Sequence, residues 1–274
     1  MLVDFHIHST ASDGTCSPTE IAEKTKDFAA AALTDHDTVD GVEEFLSAPV
    51  GPSLRFSGVE LSIIPGEGYK QFHLLGLGFD IKNSNLHDFF AKIVNGRNER
   101  NLRILENLQR GGINVTKELV QKHLHGDIMG RPHIANAIVE LGFANSVKDA
   151  FNNYLVPGTI GYAHRYRPSP KEAIDVIHAA GGVALMAHPT HWTRDITKLY
   201  NGLKELKDLG LDGIEAHYKA NKTEETIDHL RIAKSLDFLV SAGSDFHGTN
   251  KVDIALGVDV NEDAISPLIK TIRP

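Results

Sequence analysis

The hydrophobic pattern of the chain switches repeatedly between two periods. Short apolar runs at 2–7, 30–33, 54–61, 71–79, 183–187, 213–217, 238–242 and, more weakly, 254–260 read as buried strands. Between them, apolar positions recur at helical spacing over 18–28, 39–46, 170–180, 199–209 and 223–235. The first of these helices is announced by Ser17 with Glu20 three residues on, the pairing of a capping box. The residues after Asp263 read as a closing helix. Strand then helix, repeated six to eight times, predicts an α/β fold whose mostly parallel sheet closes into a barrel.

The stretch 83–158 breaks this alternation. It reads as consecutive helices over 86–110, 117–125, 131–141 and 147–153, with Gly111, Gly112 and Gly142 as stops and no strand signal between them. The predicted organisation is therefore a barrel domain made of 1–82 and 159–274, interrupted by an all-helical insertion at 83–158. Such an insertion serves as a lid or specificity wall.

Polar residues fall on this framework in a particular way. In "VDFHIHSTASDG", residues 3–14, alternation along a strand turns His6 and His8 to one face, with Asp4 near them and Asp13 in the loop that follows. "LTDHDT" puts Asp35, His36 and Asp37 just past the second strand, "SGVELS" puts Glu60 at the end of the third, and "KQFHLLG" carries His73 in the fourth. "LMAHPT" ends the next strand with His188, "GIEAHY" offers Glu215 and His217, and "SAGSDFHG" supplies Asp245 and His247. In a parallel barrel all strand C-termini open on one face, so these groups should meet there. Burying so many ionisable groups in one mouth carries a heavy desolvation cost that divalent cations remove. His87, His123, His125, His178 and His229 lack such company and read as surface or helix-face residues.

Composition supports this chemistry. The chain of 274 residues has fifteen histidines but one cysteine, so its ligands are nitrogen and oxygen, suited to Mn²⁺, Fe²⁺, Zn²⁺ or Co²⁺ rather than to a closed thiolate site. So many candidates exceed one ion and suit two or three sharing a bridging carboxylate. Cys16 alone makes no internal disulfide, which fits a reducing compartment, and no export signal or membrane-spanning run is read, so a cytoplasmic protein is expected. A net charge of −8 argues against a broad grip on duplex DNA but not against small anions.

The motifs "DFHIHSTASDG", "LTDHD", "GVE", the histidine of "FHLLG", "AHP" and "GSDFHG" together resemble those of the PHP (polymerase and histidinol phosphatase) family of metal-dependent phosphoesterases. The resemblance covers about residues 2–80 and 160–260 and implies a distorted, TIM-like (β/α)7 barrel. It further implies that His6, His8, Glu60 and Asp245 hold one ion, that Glu60 bridges to a second held with His73 and His188, and that Asp13, His36 and His247 hold a third. Glu215 and His217 are read as outer or mouth residues, and Asp35 and Asp37 as orienting ligands or capping the next helix. Within the family the insertion looks like that of the subgroup acting on nucleoside 3′,5′-bisphosphates and the 5′ ends of short RNAs. A histidinol-phosphatase-like or other small phosphomonoesterase is the alternative.

Ester hydrolysis at such a centre uses a metal-bridging water as nucleophile, and no side-chain nucleophile competes for the role: a G-x-S-x-G motif is absent and Cys16 sits in a turn without an activating partner. His191 is the candidate proton donor. In the insertion, Arg97, Arg100 and Asn101 share a helical face, and Arg131 and His133 open a later helix. Two readings stand for them, a solvated charged face or contacts to a second substrate phosphate. Tyr162 and Tyr166 either stack on a base or pack internally. Amidohydrolases use similar barrels, but often bridge their ions with a carboxylated lysine, for which no lysine stands at a comparable strand end. A non-catalytic metal-binding module is the remaining reading.

Overall fold

The computed structural model describes residues 1–64, 71–124 and 129–272, so His125 lies outside the described residues. Among the described residues nine strands form two sheets: β1 (Leu2–Asp4), β2 (Ala30–Ala32), β3 (Leu54–Phe56), β4 (Gly58–Ile63), β5 (Phe72–Leu77), β6 (Val183–Met186), β7 (Gly213–Tyr218), β8 (Leu239–Gly243) and β9 (Val258–Asp259). One sheet has the order β3-β2-β1-β9 and the other β4-β5-β6-β7-β8. This is a mixed α/β fold, and among the described residues neither sheet closes on itself.

Two departures from the predicted pattern bear on function. The single run expected over 54–61 is two strands in different sheets, because the chain switches sheets at Ser57. There Ser57 Oγ donates to Phe79 O at 2.6 Å, Gly78 N donates to Ser57 O, and a Cβ on Gly58 would lie 2.5 Å from Leu33 O. Only glycine allows that approach.

The sheets are also less parallel than the sequence pattern suggests. β1–β2, β2–β3, β6–β7 and β7–β8 are parallel, but β5 runs antiparallel to both β4 and β6, and β9 runs antiparallel to β1. Register pairs His73 with Ser62 and Leu74 with Met186. His73 therefore comes to the site at the start of its strand, not at the end, because the reversal of β5 lays its beginning beside the far ends of β4 and β6.

Backbone hydrogen bonds also join the two sheets. Past β1, Phe5 N donates to Ala242 O and Asp245 N to His6 O, each at 2.8 Å; past β2, Asp37 N donates to Glu60 O at 2.9 Å and Glu60 N to Asp35 O at 3.1 Å. The ladder of β1 thus ends at Asp4, and His6 and His8 lie on extended chain stitched to the end of β8 rather than within a strand.

The core fits this scheme. Val3, Phe5, Leu75, Leu77, Leu185 and Ala242 are buried together with Ile265 and Leu268 of the C-terminal helix Glu262–Thr271. A second cluster buries Ile7, Ala31 and Leu33 against Ile21 and Ala22 of the helix Pro18–Lys24. That helix starts as its sequence dictates: Glu20 N donates to Ser17 Oγ and Ser17 N to Glu20 Oε2.

The chain divides into two compact units, Met1–Phe90 with Pro168–Pro274, and Ala91–Arg167. The second is helical with its own core, in which Ile104, Leu108, Val115, Ile134, Ile138 and Leu155 are buried. It includes the helices Lys117–Gln121, Arg131–Glu140 and Val147–Ala150, the last running into a π-helical turn at Phe151–Leu155. No described helix is long and apolar enough to cross a membrane.

Gly243 makes the tightest approach at the site. A Cβ there would stand 2.2 Å from Glu215 Oε1 and 2.3 Å from His6 Cβ. Gly243→Ala is expected to lower the stability of chelator-treated protein by about 1–3 kcal/mol, the usual cost of overpacking, read from urea unfolding midpoints; an unchanged midpoint would show that the approach is not tight.

Candidate metal centre

Glu60 is the middle of the site. It is fully buried on β4, and five imidazoles reach its two oxygens. His6 Nε2, His8 Nε2 and His36 Nδ1 approach Oε2 at 3.2, 3.1 and 2.9 Å, while His73 Nδ1 and His188 Nε2 lie 2.6 and 2.8 Å from Oε1. Asp245 Oδ1 joins the first group, 3.4 Å from His8 Nε2 and 3.7 Å from His6 Nε2. Beside them, Asp13 Oδ1 stands 3.3 Å from His247 Nε2 and 3.8 Å from His8 Nδ1, and Asp13 Oδ2 is 3.9 Å from His36 Nε2. The nine residues singled out as ligands, distributed over residues 6–247, converge in one place.

Whether these atoms suit cations can be judged from their own hydrogen bonding. His6 Nε2, both ring nitrogens of His8, His36 Nδ1 and Glu60 Oε2 are buried, yet find no hydrogen-bond partner among the described residues despite their short separations. Buried polar atoms are seldom left so. Ring nitrogens and carboxylate oxygens that converge without hydrogen-bonding one another are what a cation can use once it takes the place of any ring protons. The donors form three overlapping groups: His6, His8, Glu60 and Asp245; His36, Glu60 and His73; and His8, Asp13, His36 and His247.

Each ligand is held from behind. His6 Nδ1 lies 2.9 Å from Glu215 Oε1, which fixes the ring with Nε2 turned toward Glu60. The other oxygen, Glu215 Oε2, accepts His188 N at 2.7 Å, so one buried carboxylate sets two ligands. His247 Nδ1 is spent on Asp245 O at 2.8 Å and leaves Nε2 for the site. Asp35 carries the loop bearing Asp13: its carboxylate accepts Ser9 N, Ser9 Oγ and Ser12 Oγ at 2.8, 2.6 and 2.5 Å. Asp37 accepts Ser62 N and Ser62 Oγ and so ties the second strand's end to β4. Asp4, although near in sequence, is turned away, accepting His6 N, Ser244 N, Ser244 Oγ and Gly257 N.

Three residues of the site, Asp37, His188 and Asp245, have positive φ of 55°, 26° and 60°. Such angles are unfavourable for residues other than glycine and cluster where surrounding contacts impose them. For His188 the contact is Glu215, and for Asp245 it is His6 O.

Electrostatics follow from this crowding. Burial resists charge on His6, but Glu215 and Glu60 outweigh it and hold its pKa well above the imidazole norm. Burial likewise opposes the charge on His36, which Glu60 and Asp13 nonetheless hold up at about 9. For His8 burial wins over Asp245 and Glu60, and its pKa falls. Against burial, His6, His36 and His73 keep Glu60 well below the usual carboxylate range, and His247 and His36 pull Asp13 down to about 2.

The remaining residues singled out in the sequence have surroundings of their own. His217 faces away, lining an outer cavity of about 570 Å³ with Leu2, Ile227 and Leu256. His191 is exposed, its ring tilted 4.3 Å from that of His188 and edge-on 5.4 Å from that of Tyr218. In the helical unit, Arg100 is buried, its Nε without a hydrogen-bond partner among the described residues. Burial and the charges of Arg131, Arg165, Arg97 and Arg167 bring its pKa down to about 9. Arg131 lies over the Phe151 ring at 5.5 Å with Nη1 donating to Leu155 O at 3.4 Å. Asn101 Nδ2 donates to Met129 O, and His133 Nδ1 accepts Gly130 N. Two contributors missed by sequence reasoning are Tyr218 and Lys251, which both reach Asp245. Their only signal was proximity to "GIEAH" and "GSDFHG".

A thiolate-free convergence of imidazoles and carboxylates on a buried glutamate is the centre of a hydrolase that works through divalent metal. No family model matches the chain. It is, however, 31% identical over 255 residues to the 5′-3′ exoribonuclease Rnm of Escherichia coli, spanning 90% of this chain and 85% of the relative. It is 30% identical over 249 residues to a 3′,5′-nucleoside bisphosphate phosphatase of Chromobacterium violaceum, spanning 89% and 87%. A solved chain from Bifidobacterium adolescentis, assigned as a metal-dependent phosphoesterase, superposes with a TM-score of 0.77 at 27% identity over 99% of this chain and 96% of that one. A Chromobacterium violaceum structure described as an amidohydrolase, with bound sulfate and no metal, gives 0.78 at 27% over 98% and 95%. The chain belongs to the PHP-type metal-dependent phosphoesterases and is a phosphoric ester hydrolase.

Cations must displace the protons that His6 and His36 retain. Adding Mn²⁺ to chelator-treated protein at pH 7 in weak buffer is therefore expected to release protons, and apparent affinity should rise with pH through about 9, where His36 is half deprotonated. Binding with no proton release and no pH dependence would place the cations elsewhere.

Proposed function

We propose that this phosphoesterase hydrolyses a phosphate ester of a small nucleotide, a nucleoside 3′,5′-bisphosphate or the 5′ end of a short RNA. We further propose that two or three divalent ions, Mn²⁺, Fe²⁺ or Zn²⁺, serve it. The observation that carries this reading is the Glu60 carboxylate, with His6, His8 and His36 on one oxygen and His73 and His188 on the other. A carboxylate so placed can bridge. His6, His8 and Asp245 would complete one site with it and His73 and His188 a second, while Asp13, His36 and His247 would form a third. His36 lies between the last two and could serve either.

Cations bound there would supply a water acidic enough to attack phosphorus and would neutralise phosphoryl charge. The chain's own residues do the rest. Glu215 and Asp35 keep the ligands aimed, and burial of Glu60, His6 and His8 excludes bulk water from the reacting centre. His191 is the residue we place at the leaving oxygen; burial and His188 lower its pKa, so a neutral ring would donate a hydrogen bond there.

Substrate choice is read from the helical insertion, for which we keep the limits 83–158. Arg100, crowded by other guanidiniums, is relieved by an anion, and Arg97 and Arg131 add to the same field. Asn101 and His133 we assign to fixing the backbone that carries these arginines. The activities of the relatives favour nucleotides and RNA, and the sulfate held by the Chromobacterium violaceum structure is a tetrahedral dianion like phosphate. We read the two sheets as one distorted ring of β1, β2, β4, β5, β6, β7 and β8, a reading supported by the backbone bonds between them. A cytoplasmic location accords with the single cysteine.

With Mn²⁺ the protein is expected to release phosphate from 3′-phosphoadenosine 5′-phosphate and to trim short 5′-phosphorylated oligoribonucleotides. Turnover of histidinol phosphate alone would overturn the substrate class. Arg131→Ala should raise KM for a bisphosphate about 10- to 100-fold, as expected for losing a charge-assisted bond of roughly 1.5–3 kcal/mol, and leave KM for an aryl phosphate nearly unchanged; equal effects on both would remove the arginine from substrate binding.

A further inference from the structure

Asp245 presents two oxygens to different surroundings. Oδ1 faces the imidazoles, 3.4 Å from His8 Nε2, 3.7 Å from His6 Nε2 and 3.4 Å from His247 Nδ1. Oδ2 faces away from them. It accepts the Tyr218 hydroxyl at 3.1 Å and lies 2.6 Å from Lys251 Nζ. Neither residue is a cation ligand by chemistry: an ammonium has no lone pair, and the phenol, pushed up by burial and by Asp245, keeps its proton.

The two arrive from different elements. Tyr218 ends β7, buried beside His188 at 5.6 Å and His191 at 5.4 Å between ring centres. Lys251 closes a 3₁₀ turn at Gly248–Lys251, just past His247. That turn is itself tied to the loop of Asp13, with Thr249 N donating to Thr15 Oγ1 at 2.9 Å and Asn250 Nδ2 to Asp13 O at 2.8 Å. The position of Lys251 is therefore built rather than incidental, although its side chain is 39% exposed.

We propose that Tyr218 and Lys251 are positioning residues that hold Asp245 by Oδ2, so that Oδ1 alone is offered to the His6–His8–Glu60 group, and that they thereby set how tightly this group binds a divalent cation. A carboxylate without these partners would be free to turn about its Cβ–Cγ bond, and a ligand loses affinity when its orientation is no longer fixed. Removing partners of this kind typically lowers metal affinity about 10- to 100-fold. The proposal rests on the reading of His6, His8, Glu60 and Asp245 as a metal site.

The test is Mn²⁺ binding to the full chain after chelator treatment, by equilibrium dialysis with metal analysis, for wild type, Lys251→Met, Lys251→Arg and Tyr218→Phe. Lys251→Met and Tyr218→Phe should each weaken the tightest Mn²⁺ site about ten-fold, and Lys251→Arg should restore most of that loss by keeping a cationic donor. Thermal unfolding of the chelated variants accompanies the binding data, and the exposure of Lys251 keeps the test open should Tyr218→Phe fail to fold. Wild-type affinity in folded Lys251→Met, or lost thermal stability with unchanged affinity, overturns the positioning role. A wild type that binds no Mn²⁺ overturns instead the metal-site reading beneath it.

Discussion

One buried carboxylate governs this molecule. Glu60 has no exposed surface, and five imidazole nitrogens stand within 3.2 Å of its two oxygens. Protons satisfy such a cluster poorly, as the opposed pKa directions of His6 and His8 indicate, and several of its atoms are left without a hydrogen bond. Positive charge placed between the lone pairs relieves desolvation and repulsion together. The fold can be understood as the scaffold that makes this costly arrangement stand.

That scaffold works through residues behind the ligands. Glu215 fixes His6 and His188 at once, and Asp35 gathers three donors to hold the loop of Asp13. The backbone is bent to match, with His188 and Asp245 both at positive φ. Close approach at Gly243 lets the end of β8 pass against His6. Strain of this kind persists only where surrounding contacts over-determine the conformation, and here those contacts are the outer carboxylates and the stitched strand ends.

The helical unit poses a second electrostatic problem of opposite sign. Arg100 is buried in the field of four other arginines, and its pKa falls in consequence. A chain with net charge −8 nonetheless concentrates guanidiniums around one buried arginine, a mutual repulsion that an anion would relieve.

Much of this was legible in the amino-acid order. The strand-and-helix alternation and the Ser17–Glu20 cap follow from local rules of period and capping chemistry, while the nine candidate ligands were singled out by the resemblance of their motifs to those of a known family. Tertiary structure alone decided the reversal of β5, which brings His73 in at a strand's start, the break at Ser57 that divides one apolar run between two sheets, and the meeting of Tyr218 and Lys251 on one oxygen of Asp245. The reason is physical. Hydrophobic period records which face of a segment is buried, but not the direction in which its neighbours run. Partners such as Glu215 and His6, separated by 209 positions, leave no periodic trace at all.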